Sequence, residues 1–591
     1  MFLSAFNGLY AMTALILESD SYYPSDTKVR CGAFPLLCIF SNYHAMTVKA
    51  HKFTPEVLLS APRRSAGVPN GDGSSVLYTT STYSFDSHTK TVELRSLDTK
   101  SNESTLLVQE NSISEPVWLP GQKDVFACLK GEDKGKTSIL IATTKSTSDW
   151  KDSTYTAGSI DAPAGSLKIV QLSDSSYAVV LAAQCSPDGS LYNSETASKT
   201  HSTGKLYKSL FVRHWDDYVT PQKNTLWELA LKVLFRLSED PKTNPALSTK
   251  CNVYYIELNS FTEDPAPKPF EYTIQDFKGA SSSPVFSPDG KKAVFLSMYT
   301  AGYESDKSQI FLIEDLEKDS VKRLFDQKKE GSLDKSPQNL AFSCDGKTLY
   351  FSAEDQGYGR LFALTSNPTD GEVLRPLTNT GYVSDVRPLE SGDVFYTSSS
   401  LVDYSSYSIV GTSSTEAQTA KWTHSSSKGG SSLGLKASQV SSIHTPASDA
   451  TARSTRLHCS SMVDLKDLGG IRGVHVGTLL SMQSKAVDVV ITPNITGSTG
   501  YGQAFTDAIR KDWGGAPYND LVNVIDWVEK HMSEVDMTRA VALGASYGGY
   551  MINWLNGHDL GRRFKALVCH DGIFSLTGQL ATDELYFVYN A

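Results

Sequence analysis

The 591-residue sequence predicts a β-propeller followed by an incomplete α/β-hydrolase domain. Three observations predict this order. Short apolar strands separated by turns recur from about residue 60 to 425, strands alternate with amphipathic helices after residue 487, and a G-x-S-x-G pattern lies between a strand and a helix. A chain of this length also exceeds what one hydrophobic core can organise, so at least two domains are expected.

Composition indicates a soluble globular protein. Hydrophobic residues make up 40% of the chain and charged residues 20%, which are ordinary values. A formal net charge of −10 and a pI near 5.7 argue against nucleic acid as a partner. No stretch reaches the length of a membrane span, so no membrane partner is expected. The eight cysteines are scattered without zinc-ligand spacing, and we expect ordinary thiols, no metal and no cofactor.

Residues 1–45 fit poorly with the more regular pattern that begins at Met46, and we interpret them as an N-terminal extension. Residues 1–17 carry no charge and could form the apolar part of a signal peptide, but they lack a basic start and a small-x-small cleavage site. A cytoplasmic location is therefore favoured, with secretion as the alternative. We expect the extension to pack poorly and to be dispensable.

Residues 46–425 are predicted to form the β-propeller domain. Their strands lie beside a recurring S-P-D-G turn, in which Asp-Gly supplies the backbone angles that a tight hairpin requires. The repeated order of strand, turn, strand, loop and strand is typical of propeller blades. A β-sandwich is the alternative fold. The turns lie at 186–189, 287–290, 343–346 and, more weakly, 390–393. The strands include 75–80, 139–142, 177–181, 293–296, 309–313, 348–351 and 360–364.

Two segments do not follow this repeated pattern of strands and turns. Residues 211–218 read FVRHWDDY and are dense in aromatic and charged side chains. A structural ion pair beside packed aromatics is one interpretation, and a loop facing the substrate is the other. Residues 426–486 begin with a run rich in Ser, Gly and Thr, and we predict a linker or degenerate segment there.

Residues 487–591 are predicted to form a truncated α/β-hydrolase domain. A strand at 487–491 precedes a Gly-rich turn at 497–502. The predicted elements that follow are helices at 503–511 and 519–532, a strand at 541–543, a helix after the G-x-S-x-G pattern and a strand at 566–568.

The segment 541–551 reads VALGASYGGYM and is interpreted as a nucleophile elbow, a sharp turn from a strand into a helix. This turn strains Ser546 and lifts its hydroxyl clear of the sheet, so Ser546 is the candidate nucleophile. Gly544 and Gly548 are expected because a Cβ at either position would collide with a neighbouring strand or helix. The backbone N–H of Tyr547 points to where an oxyanion would form. The alternative is a Gly-rich turn that contains a serine by chance.

A propeller followed by an elbow reading GASYGGYM resembles the prolyl oligopeptidase family, closest to its fungal dipeptidyl-peptidase V branch near the acylaminoacyl-peptidases. The resemblance covers roughly residues 50–420 and 487–587. Further matching words are SAPRR at 60–64, FVRHWD at 211–216, SSPVFSPDG at 282–290, GSTGYGQ at 497–503, DWGGAPY at 512–518 and KALV at 565–568. The resemblance implies a serine peptidase that releases dipeptides from the N-terminus of short peptides, with the propeller limiting access.

The sequence departs from this family in two ways. Residues 440–486 lack the family's H-G-G-P segment, which helps to form the oxyanion site, and Gly469-Gly470 is not an adequate substitute. The triad order of this fold is Ser, Asp, His, and the last two lie on loops after later strands, which we do not find before Ala591. We therefore expect that the triad Asp and His are not found in this chain and that it hydrolyses peptides poorly.

The His and Asp residues after the elbow are expected to be structural. Two adjacent pairs occur, and neighbouring side chains do not easily form a relay against Ser546. These residues are His558, Asp559, His570, Asp571 and Asp583. Two other functions stay open on sequence alone: a carboxylesterase, which shares the elbow, and a non-catalytic binding protein that retains a hydrolase relic. Substrate-binding residues are not predicted.

Overall fold

The larger part of the chain is a ring of antiparallel sheets, as the sequence predicts. The computed structural model of the protein describes residues 13–18, 53–145, 150, 153–173, 176–198, 201–208, 212–214, 217–228, 232–236, 244, 247–257, 268–324, 334–368, 372, 374–414, 416–446, 456–464, 489–533, 535–575 and 577–578. Within these residues no helix is both long and apolar enough to cross a membrane.

The described strands of the propeller group into seven blades, numbered I to VII in chain order, and a single parallel pairing between Gly359 and Tyr382 links the last two. Blade I contains β2 (Arg63–Arg64), β3 (Val68–Pro69), β4 (Ser75–Ser84), β5 (Thr89–Asp98) and β6 (Ser104–Gln109). Blade II contains β7 (Ile113–Trp118), β8 (Val125–Gly131), β9 (Thr137–Thr143) and β10 (Thr154–Ile160). Blade III contains β11 (Ala164–Ser173), β12 (Ser176–Cys185) and β15 (Lys223–Glu228), with the hairpin β13 (Arg213–His214) and β14 (Asp217–Tyr218) between the last two.

The remaining blades complete the ring. Blade IV contains β16 (Lys232–Arg236), β17 (Val253–Glu257) and β18 (Phe270–Tyr272). Blade V contains β19 (Ser281–Phe286), β20 (Ala293–Ser297), β21 (Gln309–Ile313) and β22 (Val321–Arg323). Blade VI contains β23 (Pro337–Phe342), β24 (Thr348–Asp355), β25 (Tyr358–Thr365) and β26 (Arg375–Pro376). Blade VII contains β27 (Tyr382–Pro388), β28 (Val394–Ser399), β29 (Ser406–Val410) and β30 (Trp422–Ser425).

Hydrophobic clusters fill the spaces between neighbouring blades. They lie between I and II, II and III, IV and V, V and VI, VI and VII, and VII and I. Each strand contributes alternate side chains to the two spaces that flank its blade, since successive side chains of a strand point to opposite faces. The near-continuous apolar runs noted in the sequence, such as 293–296, are buried on both faces for this reason.

The S-P-D-G turns adopt the predicted hairpins. Gly290 has a φ of 64° and its N–H donates to the carbonyl of Ser287 at 2.9 Å. The Ser287 hydroxyl donates to Asp289 at 2.6 Å, and this bond holds the pKa of that carboxyl below its usual range. The turn at 343–346 repeats the arrangement, with Gly346 at a φ of 70°. The propeller interpretation is confirmed. Of the segment 211–218, β13 and β14 pair with each other as a separate two-stranded sheet, and residues 211 and 215–216 lie outside the described residues.

The second domain is a mixed sheet flanked by helices. Its strands are β1 (Thr13–Glu18), β31 (Val440–Pro446), β32 (Arg456–Asp464), β33 (Val489–Pro493), β34 (Asp536–Ala545) and β35 (Ala566–His570), and their order is β31-β32-β33-β1-β34-β35. Its helices are α2 (Gln503–Asp507), α3 (Ala516–His531) and α4 (Tyr547–Asn556), and short 3₁₀ turns lie at Ser431–Leu433, Ala437–Gln439 and Asp559–Arg563. Helix α3 buries the predicted apolar face, including Leu521, Ile525 and Val528, against this sheet.

The position of β1 differs from the expectation for residues 1–45. Residues 13–18 form an inner strand that is antiparallel to both β33 and β34, so this part of the expected extension is paired within the hydrolase sheet. Leu15 pairs with Ile491 on one side and with Ala542 on the other. The uncharged character of residues 1–17, which suggested a signal peptide, also suits a strand in the middle of a sheet.

The predicted linker at 426–486 also contains regular structure. Strands β31 and β32 fall within it and extend the hydrolase sheet beyond the predicted start at 487. The many Ser residues of this region pointed to a linker, yet the two strands also contain β-branched residues that favour strands, namely Val440, Ile443, Thr445 and Val463.

A hydrophobic cluster joins the two domains near the start of the propeller. Helix α1 (Pro55–Ser60) begins where the Thr54 side chain accepts a hydrogen bond from the Val57 N–H at 3.3 Å. We call the group that it packs into the junction cluster. Its members are Phe53, Val57, Leu58, Ala61, Val402, Tyr404, Leu433, Leu435, Val440, Val490, Val541 and Leu543. The last two lie on β34, so the junction cluster supports the strand that leads into the elbow.

Candidate active site

The predicted elbow is present between β34 and α4. Ser546 has a φ of 57° and a ψ of −119°, a conformation that a non-glycine residue holds at a cost on the order of 1–3 kcal/mol. Two backbone hydrogen bonds maintain it. The Ser546 N–H donates to the carbonyl of His570 at 3.0 Å, and the Ser546 carbonyl accepts from the Tyr550 N–H at 2.9 Å. Ser546 is therefore fixed between the end of β35 and the first turn of α4.

Glycines make this turn sterically possible. A Cβ on Gly544 would lie 2.1 Å from the carbonyl oxygen of Gly548, which is the predicted collision with the helix. A Cβ on Gly549 would lie 2.5 Å from the Cα of Gly572, so the first turn of α4 packs backbone against backbone on the segment that follows β35. The strand, the helix and the next loop are thus mutually fixed around the serine.

Tyr547 contributes two groups with different roles. It is the first residue of α4, and the first N–H groups of a helix have no intrahelical acceptor, so its N–H is suited to binding an oxyanion. Its hydroxyl instead donates to the carbonyl of Trp513 at 2.7 Å. Burial raises the pKa of this hydroxyl, and the phenol therefore stays neutral and serves as an anchor.

The DWGGAPY segment packs against the elbow helix. Gly514 lies so close to Trp554 that a Cβ would approach the indole ring to 2.6 Å. Asp512 accepts a hydrogen bond from the Ala516 N–H at 2.8 Å and so supports the start of α3. Trp513 contacts the ring of Tyr547 edge-on, with the ring centroids 5.4 Å apart. This explains why two glycines and a tryptophan occur together here.

A buried carboxylate holds the loop that follows β33. Asp520 is fully buried on α3, and it accepts hydrogen bonds from the Thr496 N–H at 2.7 Å and from the Thr496 hydroxyl at 2.5 Å. No motif in the sequence marks this residue. An Asp on the apolar face of an otherwise amphipathic helix is the signal that could have indicated it.

The His and Asp candidates after the elbow occupy separate places. The ring of His558 stacks on Trp554 with centroids 4.5 Å apart, and its Nδ1 lies 2.6 Å from the Trp554 carbonyl oxygen. Asp559 begins a 3₁₀ turn, and Asp583 lies outside the described residues. These contacts give His558 a structural role at the end of α4.

His570 and Asp571 lie beside the elbow. His570 pairs with Ala545 in the parallel register of β34 and β35, and its Nε2 lies 3.0 Å from Asp571 Oδ2. The two adjacent side chains therefore contact each other, which does not by itself form the relay against Ser546 that was expected to be difficult. Both side chains are largely exposed, at 60% and 81%, so the pair contributes little to stability. The His570 carbonyl accepts a hydrogen bond from the Ser546 N–H, and the absence of the triad Asp and His stays a prediction.

Clefts lie where the propeller meets the hydrolase domain. One has a volume of about 940 Å³ and is lined by blade V and by Gln503 and Asp507 of α2. A neighbouring cleft shares Asp306, Lys307 and Gln503 with it. Ser546 does not line either of them. In the part of the chain that the structure describes, no group of three or more His, Cys, Asp or Glu side chains could hold a metal ion.

Comparison with known proteins identifies the family. The model of the "Prolyl oligopeptidase family" matches residues 480–590. Dipeptidyl-peptidase 5 of Trichophyton tonsurans is 33% identical, over 91% of this chain and 80% of its own length. Dipeptidyl-peptidase 5 of Aspergillus fumigatus is 31% identical, over 94% of this chain and 83% of its own length.

Solved structures agree on the fold. An acylaminoacyl peptidase in complex with a chloromethyl ketone superimposes with a TM-score of 0.65 at 14% identity, covering 90% of this chain and 81% of that protein. The acylaminoacyl peptidase of Pyrococcus horikoshii gives a TM-score of 0.65 at 13% identity, with 91% and 82% covered. These likenesses show a propeller joined to an α/β-hydrolase domain. Together with the identity to the dipeptidyl-peptidases, they show that the chain belongs to the prolyl oligopeptidase family of serine peptidases.

Proposed function

We propose that this protein is a dipeptidyl-peptidase that releases dipeptides from the N-terminus of short peptides, with Ser546 as its nucleophile. The observation that carries the proposal is the strained Ser546 backbone, which is fixed between β35 and the first turn of α4. The dipeptidyl-peptidase 5 relatives, at 31–33% identity, support this class of substrate.

The chemistry follows from the position of each group. The Ser546 Oγ adds to the carbonyl carbon of the second residue, and its proton passes to a base. The tetrahedral oxyanion accepts a hydrogen bond from the Tyr547 N–H. The C–N bond then breaks, the amine leaves with the proton, and water hydrolyses the acyl-enzyme. The rate depends on a histidine within hydrogen-bond reach of Ser546, and without one roughly 10³–10⁴-fold acceleration over water remains.

Two assays test the proposal. A fluorophosphonate probe reports an activated serine, and chromogenic dipeptide and simple ester substrates report turnover. We compare the unchanged protein with Ser546→Ala and with Ser575→Ala, an exposed serine beyond β35. Because the triad Asp and His are expected to be missing, we expect weak labelling and slow dipeptide release, both lost only in Ser546→Ala. Ester turnover without dipeptide release would favour a carboxylesterase, and no labelling at all would favour a non-catalytic binding protein.

A further inference from the structure

The first and last blades of the propeller meet at an interface that we call the seam. Blade I is built from residues near the start of the chain and blade VII from residues more than two hundred positions later. Among the described strands no β-ladder joins the two blades. The seam is closed by the cluster of Val76, Tyr78, Leu97, Leu389, Phe395 and Tyr407 and by a few hydrogen bonds.

The hydrogen bonds across the seam are mostly between neutral groups. The Tyr407 hydroxyl donates to the Ser65 carbonyl at 2.8 Å, and the Gly67 N–H donates to the Thr397 hydroxyl at 3.1 Å. Farther out, the Trp422 indole N–H donates to Asn102 at 2.8 Å. The net contribution of each such bond to stability is small, so the seam depends on several small contributions.

Arg64 of β2 lies at the centre of the seam. Its guanidinium lies 5.1 Å from the ring centroid of Tyr78 and 5.4 Å from that of Tyr407, so aromatic rings of both blades contact the cation. Its Nη1 lies 2.9 Å from the Nδ1 of His424 on β30. Arginine has donors and no acceptor, so Nδ1 must accept this bond. His424 is therefore neutral in the closed seam and carries its proton on Nε2.

The surroundings of His424 disfavour its charged form. Burial and the adjacent Arg64 cation lower the pKa of His424 to about 4. Tyr78 of β4 and Tyr407 of β29 are the other titratable groups that line the contact, and burial raises the pKa of Tyr407, so it stays neutral. Asp403, which precedes β29, raises the pKa of His424 and so opposes these two effects. Its oxygens already accept hydrogen bonds from serine hydroxyls, including those of Ser406, Ser425 and Ser426.

We propose that the contact between Arg64 and His424 is an acid-released latch that closes the ring of blades. Protonation of His424 at Nδ1 removes the only lone pair that Arg64 can use on that ring and places two cations side by side. The hydrogen bond is then lost, and the apolar cluster, the contacts of Arg64 with the tyrosine rings and the neutral hydrogen bonds of the seam remain. The latch is closed at neutral pH and released in acid.

The pH range follows from the linkage between protonation and closure. In the open seam His424 is exposed and titrates near its ordinary value of about 6.5. His424 binds a proton less tightly in the closed seam than in the open seam. The equilibrium therefore favours the closed seam most strongly above pH 6.5, and this preference decreases as the pH falls. Between about pH 6.5 and 4 the closing equilibrium decreases up to tenfold per pH unit, roughly 300-fold in total, and below pH 4 it changes little further.

Arg63, the neighbour of Arg64 on β2, connects the latch to the hydrolase domain. Its guanidinium donates to the Leu58 carbonyl at 3.0 Å and lies 5.0 Å from the ring centroid of Tyr404. Both partners belong to the junction cluster, which also contains residues of β34. Release of β2 at the seam is therefore expected to loosen the support of the strand that leads to Ser546.

Hydrogen exchange measured by mass spectrometry from pH 7 to pH 3.5 tests the latch. The variant His424→Asn places an amide oxygen near the position of Nδ1 and does not titrate, and His201→Asn is a matched control at an exposed histidine. After correction for intrinsic exchange, we expect the opening equilibrium of the peptides from 63–81 and 394–425 to increase by up to tenfold for each pH unit below 6.5. This increase should occur both in the unchanged protein and in His201→Asn. The opening of the blade V peptides from 281–313 should not show this pH dependence. In His424→Asn the pH dependence of the seam peptides should disappear.

The same experiment can contradict the proposal. Equal pH dependence of the seam in His424→Asn, or equal opening of blade V, would overturn it. Exchange at the C2 proton of His424 in the unchanged protein gives its pKa directly and needs no variant. A value well below 6.5 supports the latch, and a value of 6.5 or higher overturns it even if His424→Asn does not fold.

Discussion

At the scale of single residues, the elbow depends on the absence of a side chain at Gly544. A Cβ at this position would lie too close to the carbonyl oxygen of Gly548. Neither residue can easily move aside, because Gly544 belongs to β34 and Gly548 belongs to α4. Gly557, at the end of α4, offers a contrast. Its φ is −82°, and a Cβ there would meet only the Trp554 carbonyl oxygen at 3.5 Å, an ordinary contact.

We therefore expect Gly544→Ala to destabilise the protein by about 2–4 kcal/mol and Gly557→Ala to change stability by less than about 0.5 kcal/mol. Chemical denaturation at neutral pH measures both. If the two variants unfold at the same denaturant concentration, the elbow has more room than its geometry indicates.

A second residue of this kind is Asp520. A buried carboxylate that loses one of its oxygens as an acceptor leaves the Thr496 N–H and hydroxyl with a poorer partner. Asp526 lies on the same helix, but its side chain is 60% exposed and pairs with Arg563. We expect Asp520→Asn to cost about 2–4 kcal/mol and Asp526→Asn at most about 1 kcal/mol. Thermal unfolding should rank them in this order, and the opposite order would show that the buried carboxylate does not hold the loop.

At the scale of elements, β1 is the strand that local sequence reasoning misses. Hairpins such as 287–290 were predictable because the turn residues, the polar Asp-Gly pair and the apolar strands lie next to one another. Strand β1 pairs with β33 and β34, whose residues lie more than 450 positions away, and no local pattern records such a pairing. The elbow was predictable for the same reason as the hairpins, since strand, turn and helix are contiguous in 541–551.

The inner position of β1 predicts that residues 13–18 are needed for stability. Proline at Leu15 removes a backbone donor in a strand with partners on both sides, and the backbone acceptor left without its donor costs about 1–3 kcal/mol. Leu206→Pro is the matched control, because it makes the same change at a leucine that is 89% exposed and lies in no strand. We expect a clear decrease in melting temperature for Leu15→Pro only. Equal melting temperatures would restore the expectation that this segment is dispensable.

At the scale of the whole molecule, the Gly-rich loop and α2 connect the hydrolase domain to blades V and VI. The Gln356 N–H donates to the Gly500 carbonyl at 2.9 Å, and Thr499 hydrogen-bonds to Glu354. The resemblance of GSTGYGQ to a family motif identified this segment in the sequence. Its docking partners on the propeller were not predictable, because contacts between domains depend on surfaces that form only after each domain has folded.

Tyr303 provides the contact that best tests this coupling. Its ring is buried under the guanidinium of Arg510, 4.4 Å from the ring centroid, and its hydroxyl donates to Asp507 at 2.7 Å. Tyr303→Phe keeps the ring and should cost about 1 kcal/mol, whereas Tyr303→Ala removes both contacts and should cost about 3 kcal/mol. Tyr299→Ala, at a ring that is 54% exposed on the same blade, is the control.

Differential scanning calorimetry shows whether the two domains unfold together. Because Tyr303 belongs to the propeller and both of its partners belong to the hydrolase domain, its loss weakens the interface more than either core. We expect one cooperative transition for the unchanged protein, Tyr303→Phe and Tyr299→Ala, and two separated transitions for Tyr303→Ala. A single transition for Tyr303→Ala at an unchanged temperature would mean that the junction cluster, and not α2, couples the domains.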